Sequence, residues 1–92
     1  MTSEEFRVAD AAGFTGPLLA LWWDGQGNWE RAHAVAQDVE TMDGAWVHAY
    51  LHRKEGDAMN AAYWYRRARL PVEKGDLGEE WKRMVETLLA RG

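Results

Sequence analysis

The chain has 92 residues, with 11 basic and 15 acidic side chains, a formal charge of −4 and no cysteine. That length fits a single domain over residues 1–92, with a real but modest core. The lack of thiols excludes a disulfide framework, a cysteine nucleophile and a thiolate metal site, and an acidic balance without a basic block argues against a nucleic-acid partner.

The first sixteen residues carry Glu4 and Glu5 and no long apolar core, so no signal peptide is expected. The longest apolar run, 17–23, is too short to span a bilayer. A cytoplasmic protein without a membrane partner is the expectation. Six tryptophans are many for this length. Each offers ~150–250 Å² of mostly apolar surface, enough to enlarge a small core or to furnish an interface or ligand site.

The predicted elements are all helical. Thr2 to Glu5 places hydroxyl caps ahead of acids, which starts a short helix with Phe6 and Ala9 inward and Gly13 at its end. "GFTGP" is a turn, and Pro17 suits the first position of a second short helix through Trp23. "DGQGN" turns again. Asn28 then caps a helix running to about Thr41, with Trp29, Ala32, Ala36 and Val39 as its buried stripe. The same loop places oxygens at Asp24, Gln26 and Asn28, but Trp29 and Val35 stand where a calcium loop needs glycine and glutamate, which excludes calcium.

The clearest unit is Gly44 to Arg69. Asp43 can cap its first helix, Gly56 ends that helix with positive φ, and Asp57 caps the next. Val47, Tyr50, Leu51 and the stem of Lys54 give the first helix its apolar side. Ala58, Ala61, Ala62, Tyr65 and Ala68 give the second a flat face for close approach. Pro71 stops this second helix at about Arg69 or Leu70. Arg66, Arg67 and Arg69 suit its negative end, and the consecutive Tyr63, Trp64 and Tyr65 cannot share one face. Asp76 to Glu79 reads as a capping box before a final helix with Trp81, Met84, Val85, Leu88 and Leu89 as its stripe. That stripe could close the domain or pair with a second copy. The sum is a small antiparallel bundle of about five helices.

The chemistry-bearing residues gather in the central helices. His33 and Gln37 share a face at four-residue spacing, as do His48 and His52. A hairpin pivoting at residues 42–43 sets His33 level with His52 and Gln37 level with His48. A second, pivoting near 56, sets His52 opposite Asn60 and His48 opposite Trp64. One seam can therefore hold His33, Gln37, His48, His52, Asn60 and Trp64.

Two functional readings of the seam compete with a plain structural one, in which the histidines satisfy buried carbonyls or hydroxyls. In the first, histidine, glutamine and asparagine hydrogen-bond a small ligand while Trp64, Trp29 or Trp46 packs on it. In the second, His33, His48 and His52 ligate zinc, nickel or iron, with Glu40, Asp24 or Glu55 as a carboxylate. Neither the "HExxH" of zincins nor the Glu-x-x-His of di-iron bundles occurs, and no nucleophile stands beside the histidines for acid–base catalysis. The first reading leads, with no cofactor expected.

Residues 45–71 also resemble a helix-turn-helix unit of the tetratricopeptide and Sel1-like repeats. Ala61, Trp64, Tyr65 and Ala68 match their "A-x-x-W-Y-x-x-A" run, with Ala45 and Tyr50 before the Gly56-Asp57 turn. The resemblance implies a scaffold for binding a protein or peptide, with Ala61 and Ala68 at close-packing positions, and it implies no catalysis. The histidines of "AH…HAYLH" are similar to those of small bacterial helical proteins, which implies no activity either. The expectation is a small interaction or ligand-binding domain, self-associating as a homodimer.

Overall fold

The computed structural model describes residues 1–91, and among them every regular element is helical. The order is α1 (Ser3–Val8), a 3₁₀ turn (Ala11–Gly13), α2 (Gly16–Gly25), α3 (Trp29–Gln37), α4 (Met42–Lys54), α5 (Ala58–Arg67) and α6 (Leu77–Arg91). The all-helical bundle is therefore as expected, with six α-helices rather than about five.

Local chemistry sets most boundaries. The Thr2 hydroxyl accepts from the Glu5 N–H while the Glu5 carboxylate accepts from the Thr2 N–H, a reciprocal cap on α1. Asn28 and Asp57 cap α3 and α5 by accepting from the N–H groups of Arg31 and Asn60. Gly56 takes φ +87° and closes α4, a conformation that favours glycine. Asp76 accepts from the Glu79 N–H at the start of α6.

Three boundaries depart from expectation. The first helix stops at Val8, because Asp10 accepts from the Ala12 N–H and opens a separate 3₁₀ turn. Helix α3 ends at Gln37 rather than near Thr41. Thr41 then caps α4 through the Gly44 N–H, which leaves Asp43 inside the first turn, ion-paired with Arg91. Helix α5 ends at Arg67, earlier than Pro71 alone requires, because Arg69 adopts φ +61° and the Leu70 N–H turns back to the Tyr65 carbonyl.

The main core packs Phe6, Leu21, Val47, Leu51, Met84 and Val85, all fully buried, with Trp81 beside them. The apolar stripe of α6 therefore faces its own core and closes the domain. A smaller cluster of Ala49, Ala61 and Tyr65 joins α4 to α5, where two alanines let the backbones approach. Ala58, expected on that face, is exposed. The Trp81 indole N–H donates to the Leu21 carbonyl at 3.0 Å, fixing α6 on α2.

Two buried carboxylates bind the layers together. Asp24, 4% exposed, accepts from the Tyr50 hydroxyl at 2.7 Å and from Lys54 at 2.9 Å, joining α2 to α4. Glu80, 1% exposed, accepts from the Tyr65 hydroxyl at 2.5 Å and the Trp46 indole at 3.3 Å, with Arg53 Nε 3.3 Å from its other oxygen. Burial pushes the Glu80 carboxyl up and its donors and Arg53 oppose that. The tertiary effect is to pin α6 to the α4–α5 hairpin.

Candidate histidine centre

Helices α3 and α4 bring His33, His48 and His52 to one point. Because α3 ends at Gln37 and α4 begins at Met42, this hairpin pivots near residues 39–40. The earlier pivot moves the position level with His33 back along α4, away from His52 and toward His48. The Nε2 atoms of His33 and His48 lie 3.0 Å apart. His52, one turn further along α4, stacks beside His48 with ring centroids 4.8 Å apart, and its ring is 5.1 Å from that of His33. One ligating nitrogen from each of the three can be chosen so that all lie within 4.8 Å of one another.

Each histidine has an outer partner. The Gln37 side-chain nitrogen donates to His33 Nδ1 at 3.2 Å, one helical turn away. With that nitrogen accepting, the neutral His33 ring carries its proton on Nε2 and donates it to His48 Nε2. His52 Nδ1 lies 2.6 Å from the Glu55 carboxylate. Trp29 stacks on His33 at 4.8 Å and donates its indole N–H to the Leu51 carbonyl at 2.8 Å. Trp64 stacks on His48 at 4.0 Å, with the rings 12° from parallel. The α4–α5 hairpin does pivot near 56, so this His48–Trp64 pairing is as the sequence suggested.

The electrostatics keep His33 and His48 neutral. His48 is 5% exposed, and burial, followed by the neighbouring His33 and His52, pushes its pKa down to about 4. Burial and His52 also lower His33, against a smaller opposing effect of Glu55. Adjacent imidazoles cannot all charge in a half-buried space. At neutral pH His33 and His48 are therefore uncharged, the protonation state a metal ion requires of an imidazole ligand.

Other predicted members fall outside. Asn60 is exposed and donates to the Asp57 carboxylate at 2.7 Å, so it completes a helix cap and leaves the histidines alone. Trp46 turns to Glu80, and Asp24 is taken by Tyr50 and Lys54. Glu40 lines a cavity of about 490 Å³ with Gln37, Thr41, Trp64 and Arg67. The carboxylate that does meet the cluster is Glu55, whose i,i+3 spacing from His52 is legible in the chain. The stacking of Trp29 on His33 is likewise an i,i+4 relationship, but its bond to Leu51 belongs to the tertiary structure alone.

No helix of the described residues is long and apolar enough to cross a membrane. A scan against protein-family models and searches of curated proteins and solved structures return no match, so the reading of this centre rests on its geometry.

Proposed function

We propose that the protein is a small helical ligand-binding domain whose ligand is a first-row transition-metal dication, held by His33, His48 and His52. The observation that carries this reading is the meeting of three imidazoles from two helices, with one ligating nitrogen of each within a 4.8 Å span. Nitrogens that share a tetrahedral zinc at 2.0–2.1 Å stand about 3.3 Å apart. The His33–His48 pair is already at 3.0 Å, and side-chain adjustment on the order of an ångström brings in the third.

The surroundings support the same reading. Metal-ligating imidazoles commonly donate their other N–H to a carboxylate or carbonyl, which fixes the ring and the tautomer. Glu55 is positioned to accept from His52 Nδ1, and Gln37 to accept from His33 Nδ1 once its amide turns oxygen-first. Imidazole donors suit zinc, nickel, copper and iron, and the lack of thiolate favours no softer ion. Zinc is the reference choice.

Elemental analysis and calorimetry of the full chain after equilibration with Zn²⁺ test this. One equivalent of zinc is expected, lost in His33→Gln and in His52→Gln, both at half-buried positions, with helicity checked by circular dichroism. Absence of saturable binding, or equal binding by both variants, overturns the proposal.

A second reading, a domain that binds a protein or peptide, is supported by an open groove of about 710 Å³ between α2 and α3, lined by Leu19, Trp23 and Val35 among others. Tyr63, Leu70 and Val72 are also exposed. Sedimentation at high micromolar concentration tests its self-associating form, and a monomer there removes the homodimer.

A further inference from the structure

We infer that the metal held by His33, His48 and His52 keeps one coordination position for an exogenous monoanionic ligand, of the carboxylate or hydroxide class. This rests on the metal reading above and specifies what that site does with its ion.

Among the described residues, no fourth histidine, aspartate or glutamate joins the three-histidine group. Glu55 and Asp57 gather only with His52, and Glu55 lies against its Nδ1. That leaves His52 Nε2 for the metal and holds the carboxylate on the outer side of the ring. Asp57 is further occupied by the Asn60 backbone and side-chain N–H groups. Gln37 lies on the Nδ1 side of His33, away from the Nε2 that faces His48. The two flanking tryptophans present ring faces, stacked on His33 and His48, and a ring face donates no lone pair to a metal. The chain thus offers three donors to an ion that takes four, the arrangement by which zinc sites retain an exchangeable position.

The charge count gives the same number. Three neutral imidazoles leave a dication uncompensated, and Glu55 supplies one negative charge at the edge of the cluster. A remaining positive charge in a half-buried space is unfavourable unless paired. One monoanion neutralises it and also completes the tetrahedron. Exchange is simple substitution: a bound water leaves with its electron pair as the anion's lone pair enters. His33 and His52 are only half-buried, whereas His48 lies beneath them, so the approach is from the His33–His52 side.

The cobalt(II) form of the full chain tests this, because its visible ligand-field bands report the coordination shell. Titration with sodium azide at constant ionic strength is expected to give a saturable, one-site spectral change that sodium perchlorate does not reproduce. Glu55→Gln removes the neighbouring negative charge and is expected to tighten azide by about fivefold. Stoichiometric cobalt binding with bands indifferent to azide overturns the open position while leaving the metal site standing. Weaker azide binding in Glu55→Gln overturns the charge argument. Failure to bind cobalt overturns both this inference and the reading beneath it.

Discussion

Trp64 lies flat on His48, ring centroids 4.0 Å apart, and the Arg67 guanidinium lies 5.3 Å from the centre of the Trp64 ring on the same helix. Residues from α4 and α5 thus form one guanidinium–indole–imidazole series that seals the most buried of the three histidines. Trp29 covers His33 in the same manner from α3.

That geometry makes tryptophan emission a reporter of the centre. Paramagnetic Co²⁺ or Cu²⁺ bound by the histidines is expected to quench the fluorescence of the full chain in a saturable way. Trp29→Phe combined with Trp64→Phe is expected to remove most of that quenching, although the other four tryptophans remain. Equal quenching in the double variant places the ion elsewhere.

Stability is expected to fall with acid through the histidines. His48 is neutral in the fold down to about pH 4, whereas an unfolded imidazole titrates near 6.5. Between these values the unfolded chain binds more protons, so stability rises with pH across that window and its contribution is complete above the unfolded value. The slope from one such group is at most about 1.4 kcal/mol per pH unit. Urea denaturation at a series of pH values checks this, and His48→Gln should flatten the profile between pH 4 and 6.5.

The buried ion pair of α6 predicts an ordering of costs. Glu80→Ala removes the carboxylate beside Arg53 Nε, while the rest of that guanidinium stays on the Glu73 and Gly75 carbonyls, and leaves Tyr65 and Trp46 without their acceptor. Breaking such a pair costs about 3–5 kcal/mol. Tyr65→Phe removes one donor and is expected to cost about 1–3 kcal/mol. Denaturation midpoints should follow that order. A reversed order would overturn the placement of Glu80 as the shared acceptor of this network.

Gly44 links the turn to the histidine centre. A Cβ at this position would sit 2.5 Å from the Val39 carbonyl oxygen, a backbone atom that cannot rotate away. Gly44→Ala is therefore expected to destabilise by about 1–3 kcal/mol despite its better helix propensity. Because the 38–41 connection must shift, the His33–His48 approach should loosen and zinc affinity should fall with it. Calorimetry on this variant separates the two effects.

Asn60→Ala supplies the contrasting case. Asn60 is exposed and bonded to Asp57, so its loss is expected to leave zinc affinity unchanged and stability within about 0.5 kcal/mol. A marked loss of metal would return Asn60 to the site.

The sequence by itself determined the helical class, the Asn28, Gly56 and Asp57 boundary signals and the four-residue spacing of His48 and His52. These features depend on contacts within a turn or two, where residue type and spacing decide the geometry. It also set the α4–α5 register, because a Gly-Asp break fixes its own pivot, and so Trp64 was legible opposite His48. The α3–α4 register was not. Thr41 and Asp43 are both competent caps, and which of them caps α4 is settled by how closely Gly44 packs on Val39. That choice moved the pivot by about three residues and exchanged the partner of His33 from His52 to His48. The buried bonds of Asp24 and Glu80, and the inward turn of the α6 stripe, likewise depend on helices distant in sequence. Tertiary packing alone decided which polar groups remained for the histidine centre, because every carboxylate satisfied elsewhere was no longer available to it.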